Sequence, residues 1–263
     1  MPLWPELVTR NLDGFVLAFF RMGAMLAFAP AFGHRSVPVP HRVGLALLLS
    51  VLVAPALKDA APAAGREALG WLVAVAGEVL IGLAIGFIGS LVLSAVEIAG
   101  EVIGLEMGLS IAAVFDPGRA EQETIVARFL NTLALLLFLA LNGHHVLIRA
   151  VAVSFQRIRP GTMLEPATAA GIVSFGGKII QSGLALAAPL VAIALVLNVA
   201  LALVGRSAPQ ANVFLVGLPL GIGLGFLGLV DDLFSFTQGF TRLIGQLPSD
   251  LDTLLLGAAH GLR

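Results

Sequence analysis

Cysteine is absent from the 263 residues, and Lys, Arg, Asp and Glu together supply only 12% of them. Without cysteine the chain has no disulfide, no thiolate metal ligand and no cysteine nucleophile. The shortage of charge excludes more. A soluble domain devotes about a quarter of its residues to charge, and a net charge of −1 leaves no basic surface able to displace counterions from phosphates. A nucleic-acid partner is therefore not expected. Three short catalytic signatures are also missing: the His-Glu-x-x-His zinc pair, the Gly-x-Ser-x-Gly elbow and the Gly-x-x-x-x-Gly-Lys phosphate loop. The residues imply no metal, no cofactor and no nucleotide site. An intramembrane serine protease could draw on Ser94, Ser110 or Ser182 with His144 or His145, but nothing in their spacing brings them together.

What the chain has in quantity is hydrocarbon. Hydrophobic residues make up 58% and the mean hydropathy is +1.00, which defines an all-α, polytopic integral membrane protein. The apolar runs leave no polar block large enough to fold alone, so residues 1–263 are read as a single membrane domain. The N-terminal Met-Pro-Leu-Trp-Pro-Glu lacks a basic lead into a short apolar core, and the first apolar run is expected to stay in the mature protein. Measured against the roughly 20 residues that cross a hydrocarbon core, six helical regions emerge: 12–32, 43–57, 71–104, 125–142, 169–205 and 211–236. Lys and Arg are shared too evenly among the connections to set an orientation by the positive-inside rule.

The second region is short for a span, while the third and fifth are far longer than one, so helices must kink, tilt or protrude. Gly176-Gly177, Gly183 and Pro189 in the fifth region favour a bent hairpin over one rod. Glycines four apart allow helix backbones to approach closely in a membrane. Gly82 with Gly86, Gly100 with Gly104, and Gly217, Gly221 and Gly225 are accordingly read as packing positions.

Five charged residues lie in or at the ends of apolar segments: Arg21, Glu78, Glu97, Glu101 and Lys178. A central charge costs about 2.5 to 3.5 kcal/mol on insertion scales, so each is expected to face protein or water. Glu97 and Glu101 share one helix face. They form either a wetted, ion-sensing face or interhelical pairs with Arg or Lys, the second being favoured. The same charges, with the broken fifth region, motivate an alternative reading as a small-solute secondary transporter.

The segment Leu105–Thr124 interrupts this lipid-soluble pattern with a Gly-, Met- and Phe-bearing loop closed by Asp116-Pro117-Gly118. Five other phrases stand in order along the chain: Arg21–Gly33 (Arg-Met-Gly-Ala-Met-Leu-Ala-Phe-Ala-Pro-Ala-Phe-Gly), Arg42–Ser50, Gly77–Phe87, Arg128–Asn131 with Leu141–His144, and Arg206–Phe214. Together these phrases and the loop resemble the flagellar FliR family, whose injectisome counterpart is the SctT family. The resemblance covers nearly the whole chain.

The resemblance implies a core subunit of the type III protein export gate in the bacterial inner membrane, at the flagellar basal body. Such a subunit is a conduit, not an enzyme. It assembles with FliP and FliQ into a helical ring close to FlhB and FlhA, and unfolded substrates pass through. Much of its apolar surface would be buried against partners as well as membrane lipid. The family's loop projects into the channel as a plug, a role carried here to Met107, Leu109, Ile111, Val114 and Phe115, with the Asp116-Pro117 turn. An apolar constriction can seal by excluding water, Met adapts its shape to a moving partner, and Gly104, Gly108 and Gly118 permit a non-helical path. Glu106 departs from the uncharged amide expected in such loops. The Arg206–Phe214 phrase reads as a turn, with Pro209 ending one helix and Asn212 capping the next, and is assigned to assembly.

Overall fold

A computed structural model describes residues 12–34, 36–53, 68–109, 124–158, 166–208, 210 and 212–260. Among them every regular element is helical: α1 (Leu12–Phe28), α2 (Val39–Val53), α3 (Ala68–Glu106), α4 (Ile125–Ala140), α5 (Gly143–Arg157), α6 (Pro166–Ser207) and α7 (Val213–His260). At about 1.5 Å per residue, α3, α6 and α7 are roughly 58, 63 and 72 Å long, well beyond a hydrocarbon core. These three are long and apolar enough to cross a membrane, and α4 with α5 makes a fourth candidate if counted as one broken span. The chain is a polytopic helical membrane protein.

Contacts divide the chain into two compact units. One comprises residues 1–91, 138–176 and 245–263, the other 92–137 and 177–244. The core of the first is built from Leu17, Met22, Met25 and Leu26 of α1, Ile81, Ile85 and Ile88 of α3, Leu147 and Val151 of α5, and Leu247, Leu251 and Leu255 of α7. Within it α1 and α3 meet backbone to backbone. A Cβ at Gly82 would overlap the Arg21 carbonyl, and one at Gly86 would lie 2.5 Å from the Met25 oxygen. In the second unit Val96, Ala99 and Ile103 of α3 are buried with Ala127, Leu130 and Ala134 of α4, Ala187 and Leu190 of α6, and Phe236 and Phe240 of α7.

The elements differ from the sequence expectation at several points: α1 ends at Phe28 and not at 32, and α2 begins at Val39 and not at 43. The fifth region is one continuous helix, α6, with Pro189 inside it, and not a bent hairpin. A proline removes a single backbone bond, whereas breaking the helix in apolar surroundings would leave several polar groups without partners. The sixth region continues past 236 to His260. Beyond that point the hydropathy falls, but Phe240, Ile244, Leu247, Leu251 and Leu254 recur every three or four residues and are buried, so helical amphipathicity replaces bulk apolarity. Helix α5 was not among the six regions because one face is polar, with His145, Arg149 and Gln156 exposed. Asn142, at a φ of 57°, precedes it, and Gly143 sits so close to the Phe138 ring that no larger residue fits.

The turn before α7 behaves as its spacing predicts. Asn212 Oδ1 accepts the Leu215 N–H at 3.3 Å, capping the helix; Pro209 lies outside the described residues. Over their most apolar stretches α3 is 56% buried but α6 only 17% and α7 only 11%, so the last two helices leave their surfaces to lipid or to other chains.

The glycines give a direct contrast. Nothing lies within 4 Å of a Cβ built at Gly176 or Gly177, so Ala at either position is expected to stabilise the detergent-solubilised protein by up to about 1 kcal/mol through helix propensity. Gly86→Leu is expected to lower its melting temperature sharply by driving α1 and α3 apart. Equal effects at 86 and 176 in a thermal unfolding series would contradict the backbone contact.

Candidate functional site

The interrupting segment is anchored where α3 ends and α4 begins, inside the second unit. Helix α3 stops at a glycine with left-handed backbone: Gly108 has a φ of 76°. Its N–H reaches the Leu105 carbonyl at 2.9 Å and the Leu109 N–H reaches the Gly104 carbonyl at 3.0 Å. This pair of bonds is the Schellman stop, which satisfies the last helical carbonyls. On the return side Thr124 caps α4, its Oγ1 accepting the Ala127 N–H at 3.2 Å. A capping box would place an acid at Ala127 to receive the N–H of the cap residue itself. Here Glu101 of α3 takes that part, its Oε1 accepting the Thr124 N–H at 3.2 Å. The carboxylate thus also faces the positive end of the α4 dipole.

Two glycines make this cross-helix cap possible. A Cβ at Gly100 would lie 2.5 Å from the Ala127 Cα, and one at Gly104 would lie 2.5 Å from Thr124 Oγ1. The close approach these glycines allow is therefore made within the chain. Met107, 3% exposed, is held against α7, where a side chain at Gly225 would overlap it. It lines a small cleft with Ile103, Glu106, Leu190, Leu197 and Gly221. Leu109 is half-buried and Glu106 exposed. Ile111, Val114, Phe115, Asp116 and Pro117 lie outside the described residues.

In the first unit Arg21 and Glu78 form a buried fork-to-fork pair, with neither side chain exposed to solvent. Arg21 Nε donates to Glu78 Oε2 at 2.6 Å and Nη2 to Oε1 at 3.1 Å. The remaining terminal nitrogen, Nη1, donates to Ser154 Oγ of α5 at 2.8 Å, and the guanidinium lies 4.0 Å from the centre of the Phe155 ring. Gly82, one turn after Glu78, is what lets α3 come close enough to Arg21. A charge in apolar surroundings is tolerated when paired and hydrogen-bonded, and this arginine has both partners.

The other charges are placed differently. Glu97 and Lys178 are exposed, and Glu101 serves as the α4 cap. Gly217 packs on Leu201, where an added Cβ would lie 3.0 Å from Cδ1. Ser182 donates to the Lys178 carbonyl at 2.8 Å, and the His144 and His145 rings lie 4.1 Å apart. The sequence does not single out Asp231 and Asp232, which stand near the end of the region drawn to 236; α7 continues well beyond them.

The profile of the family described as "Bacterial export proteins, family 1" matches residues 12–247. The chain belongs to bacterial export protein family 1. Its similarity extends to the "Flagellar biosynthetic protein FliR" of Escherichia coli (strain K12), 39% identical over 207 residues and 78% of each chain. The protein of the same name from Bacillus subtilis (strain 168) is 37% identical over 220 residues, covering 82% of this chain and 84% of the relative. That of Pectobacterium carotovorum subsp. carotovorum is 37% identical over 252 residues, covering 92% and 93%. The FliR resemblance carried by the sequence phrases is thus borne out for this family 1 chain over most of its length.

Two outcomes follow from this geometry. Arg21→Met or Glu78→Leu alone is expected to destabilise the purified protein by about 3 to 5 kcal/mol, because each leaves an uncompensated buried charge. The double variant should recover most of that loss in thermal unfolding; additive losses would show that the two side chains are not coupled. At the loop stem, Thr124→Val is expected to cost about 1 kcal/mol and Thr124→Ser little, and equal losses would argue against the cap.

Proposed function

We propose that this family 1 chain is a core subunit of the flagellar type III protein export gate, forming with FliP and FliQ an inner-membrane channel for unfolded flagellar proteins. FlhB and FlhA are its neighbours, and no catalytic turnover is assigned to it. The observation that carries this reading is the family match over residues 12–247, which coincides with long helices that the chain itself hardly covers. Helices α6 and α7, 17% and 11% buried over their apolar stretches, are membrane-length elements suited to packing among other subunits.

The 105–124 segment is the pore plug in this reading. Both of its feet are defined structures, the Gly108 stop and the Thr124 cap, and in this reading a passing chain displaces the segment between them. Met107, packed on Gly225, serves as an anchor at the foot. The apolar constriction is assigned to Leu109, Ile111, Val114 and Phe115, with Asp116 and Pro117 turning the chain. Dewetting of such a ring closes a pore to ions and solutes. Against the transporter reading, Glu78 is committed to Arg21 and is not available to bind a solute or ion.

Co-expression with FliP and FliQ, detergent extraction and native mass determination test the assembly. A single defined complex containing this chain is expected. A chain that purifies alone, monodisperse, and catalyses solute uptake in proteoliposomes would replace the gate reading with the transporter. Deleting Ser110–Pro117, which spares both feet, should leave the complex intact and make cells leaky to small solutes. Loss of the complex in that deletion would make the segment a structural element instead.

A further inference from the structure

The two feet of the 105–124 segment are held by different means. At the α4 foot Thr124 is fixed by hydrogen bonds, its N–H donating to Glu101 and its Oγ1 accepting from Ala127. At the α3 foot the Met107 N–H reaches the Ile103 carbonyl of its own helix at 3.0 Å. Among the described residues Met107 makes no hydrogen bond to α7, and what joins the two is apolar contact. A Cβ at Gly225 would overlap Met107 Cγ and lie 2.9 Å from both Sδ and Cε, so the side chain lies flat across that glycine. One turn earlier, a Cβ at Gly221 would lie 3.5 Å from the Met107 carbonyl oxygen, in ordinary contact. Gly223, between them, has nothing within 4 Å. Glycine weakens a helix interior, and at 225 that loss opens a seat that any side chain there would fill.

The seat suits a residue that enters and leaves. Beside it lies a void of about 20 Å³ lined by Leu190, Ile193, Ala194 and Leu197 of α6 and Leu224 of α7, so the thioether is not packed on every side. Methionine is unbranched and turns about three side-chain bonds. Exchanging one apolar surrounding for another inside a membrane costs little, whereas pulling Thr124 away would leave buried polar groups unpaired. Met107 also follows the last residue of α3, Glu106, and precedes the left-handed Gly108, so it belongs to the segment more than to the helix.

We propose that Met107 is the latch that sets the closed position of the plug: it rests on Gly225 of α7 when the pore is shut and leaves that seat when a chain passes. Met107 is then a positioning residue, acting through the apolar constriction that begins at Leu109, and α7 is the element against which the plug is placed. A static anchor would instead keep its contact while the segment beyond Gly108 moved. The inference rests on the plug reading and adds to it which foot yields and what it leaves.

The absence of cysteine gives a direct test. In the full chain assembled with FliP and FliQ, Met107→Cys combined with Gly225→Cys brings two thiols within disulfide reach. Oxidation is expected to join them and to lower export of a flagellar substrate by about tenfold or more, since a locked seat removes the open state. Reduction should restore export, and Met107→Cys alone should not respond to the oxidant. Undiminished export through the disulfide-bonded gate overturns the proposal, as does failure of the two thiols to join in an assembled complex. With no lock in place, Gly225→Ala should make the membrane about tenfold leakier to small solutes by evicting the latch from an apolar seal, and Gly223→Ala should not. Equal leak from both, or from neither, overturns the proposal, and this comparison decides the matter if the cysteine pair prevents assembly. If deleting Ser110–Pro117 causes no leak, the plug reading fails and the latch with it; a leaky deletion beside a locked gate that still exports removes the latch alone.

Discussion

In hydrocarbon surroundings a helix gains little by exchanging lipid for another apolar side chain, so lasting contact between helices depends on how closely their backbones can approach. Glycine sets that distance here. Gly82 and Gly86 bring α3 onto α1, and Gly100 and Gly104 bring it onto the start of α4. Each polar contact that organises the chain lies beside one of these approaches. The Arg21–Glu78 fork closes next to Gly82, and the Glu101–Thr124 cap closes between Gly100 and Gly104. Replacing a glycine at either crossing would therefore disturb both the packing and the electrostatics.

The two polar contacts belong to different classes. The arginine fork holds three helices, α1, α3 and α5, around one guanidinium whose three nitrogens each donate a hydrogen bond, and it ties residues far apart in the chain. The split cap is a local device at a loop stem, where a carboxylate from one helix completes the hydrogen bonding of the next. It fixes the two ends of the segment that the export reading assigns to closing the pore.

Much of this was legible from residue order. Membrane class follows from composition, and the family from six phrases in sequence. The Asn212 cap could be read from spacing, and so could the Gly108 break. Legibility failed where tertiary contact replaced local pattern. Helix α5 hides its apolar face against α1 and presents polar residues outward, so a search for unbroken hydrocarbon passes over it. The continuity of α6 through Pro189 was misjudged because local propensity counts the proline's lost bond but not the cost of further unpaired groups in an apolar medium.

The amino-acid sequence by itself determined that this is a helical membrane protein of an export family, because hydropathy and motif order are properties of the chain read along its length. Only the tertiary structure decided the partners of its charges. That Glu78 meets Arg21 and that Glu101 caps Thr124 are statements about distances between helices. Those distances are set by which glycines face which backbones, a fact that no one-dimensional pattern contains.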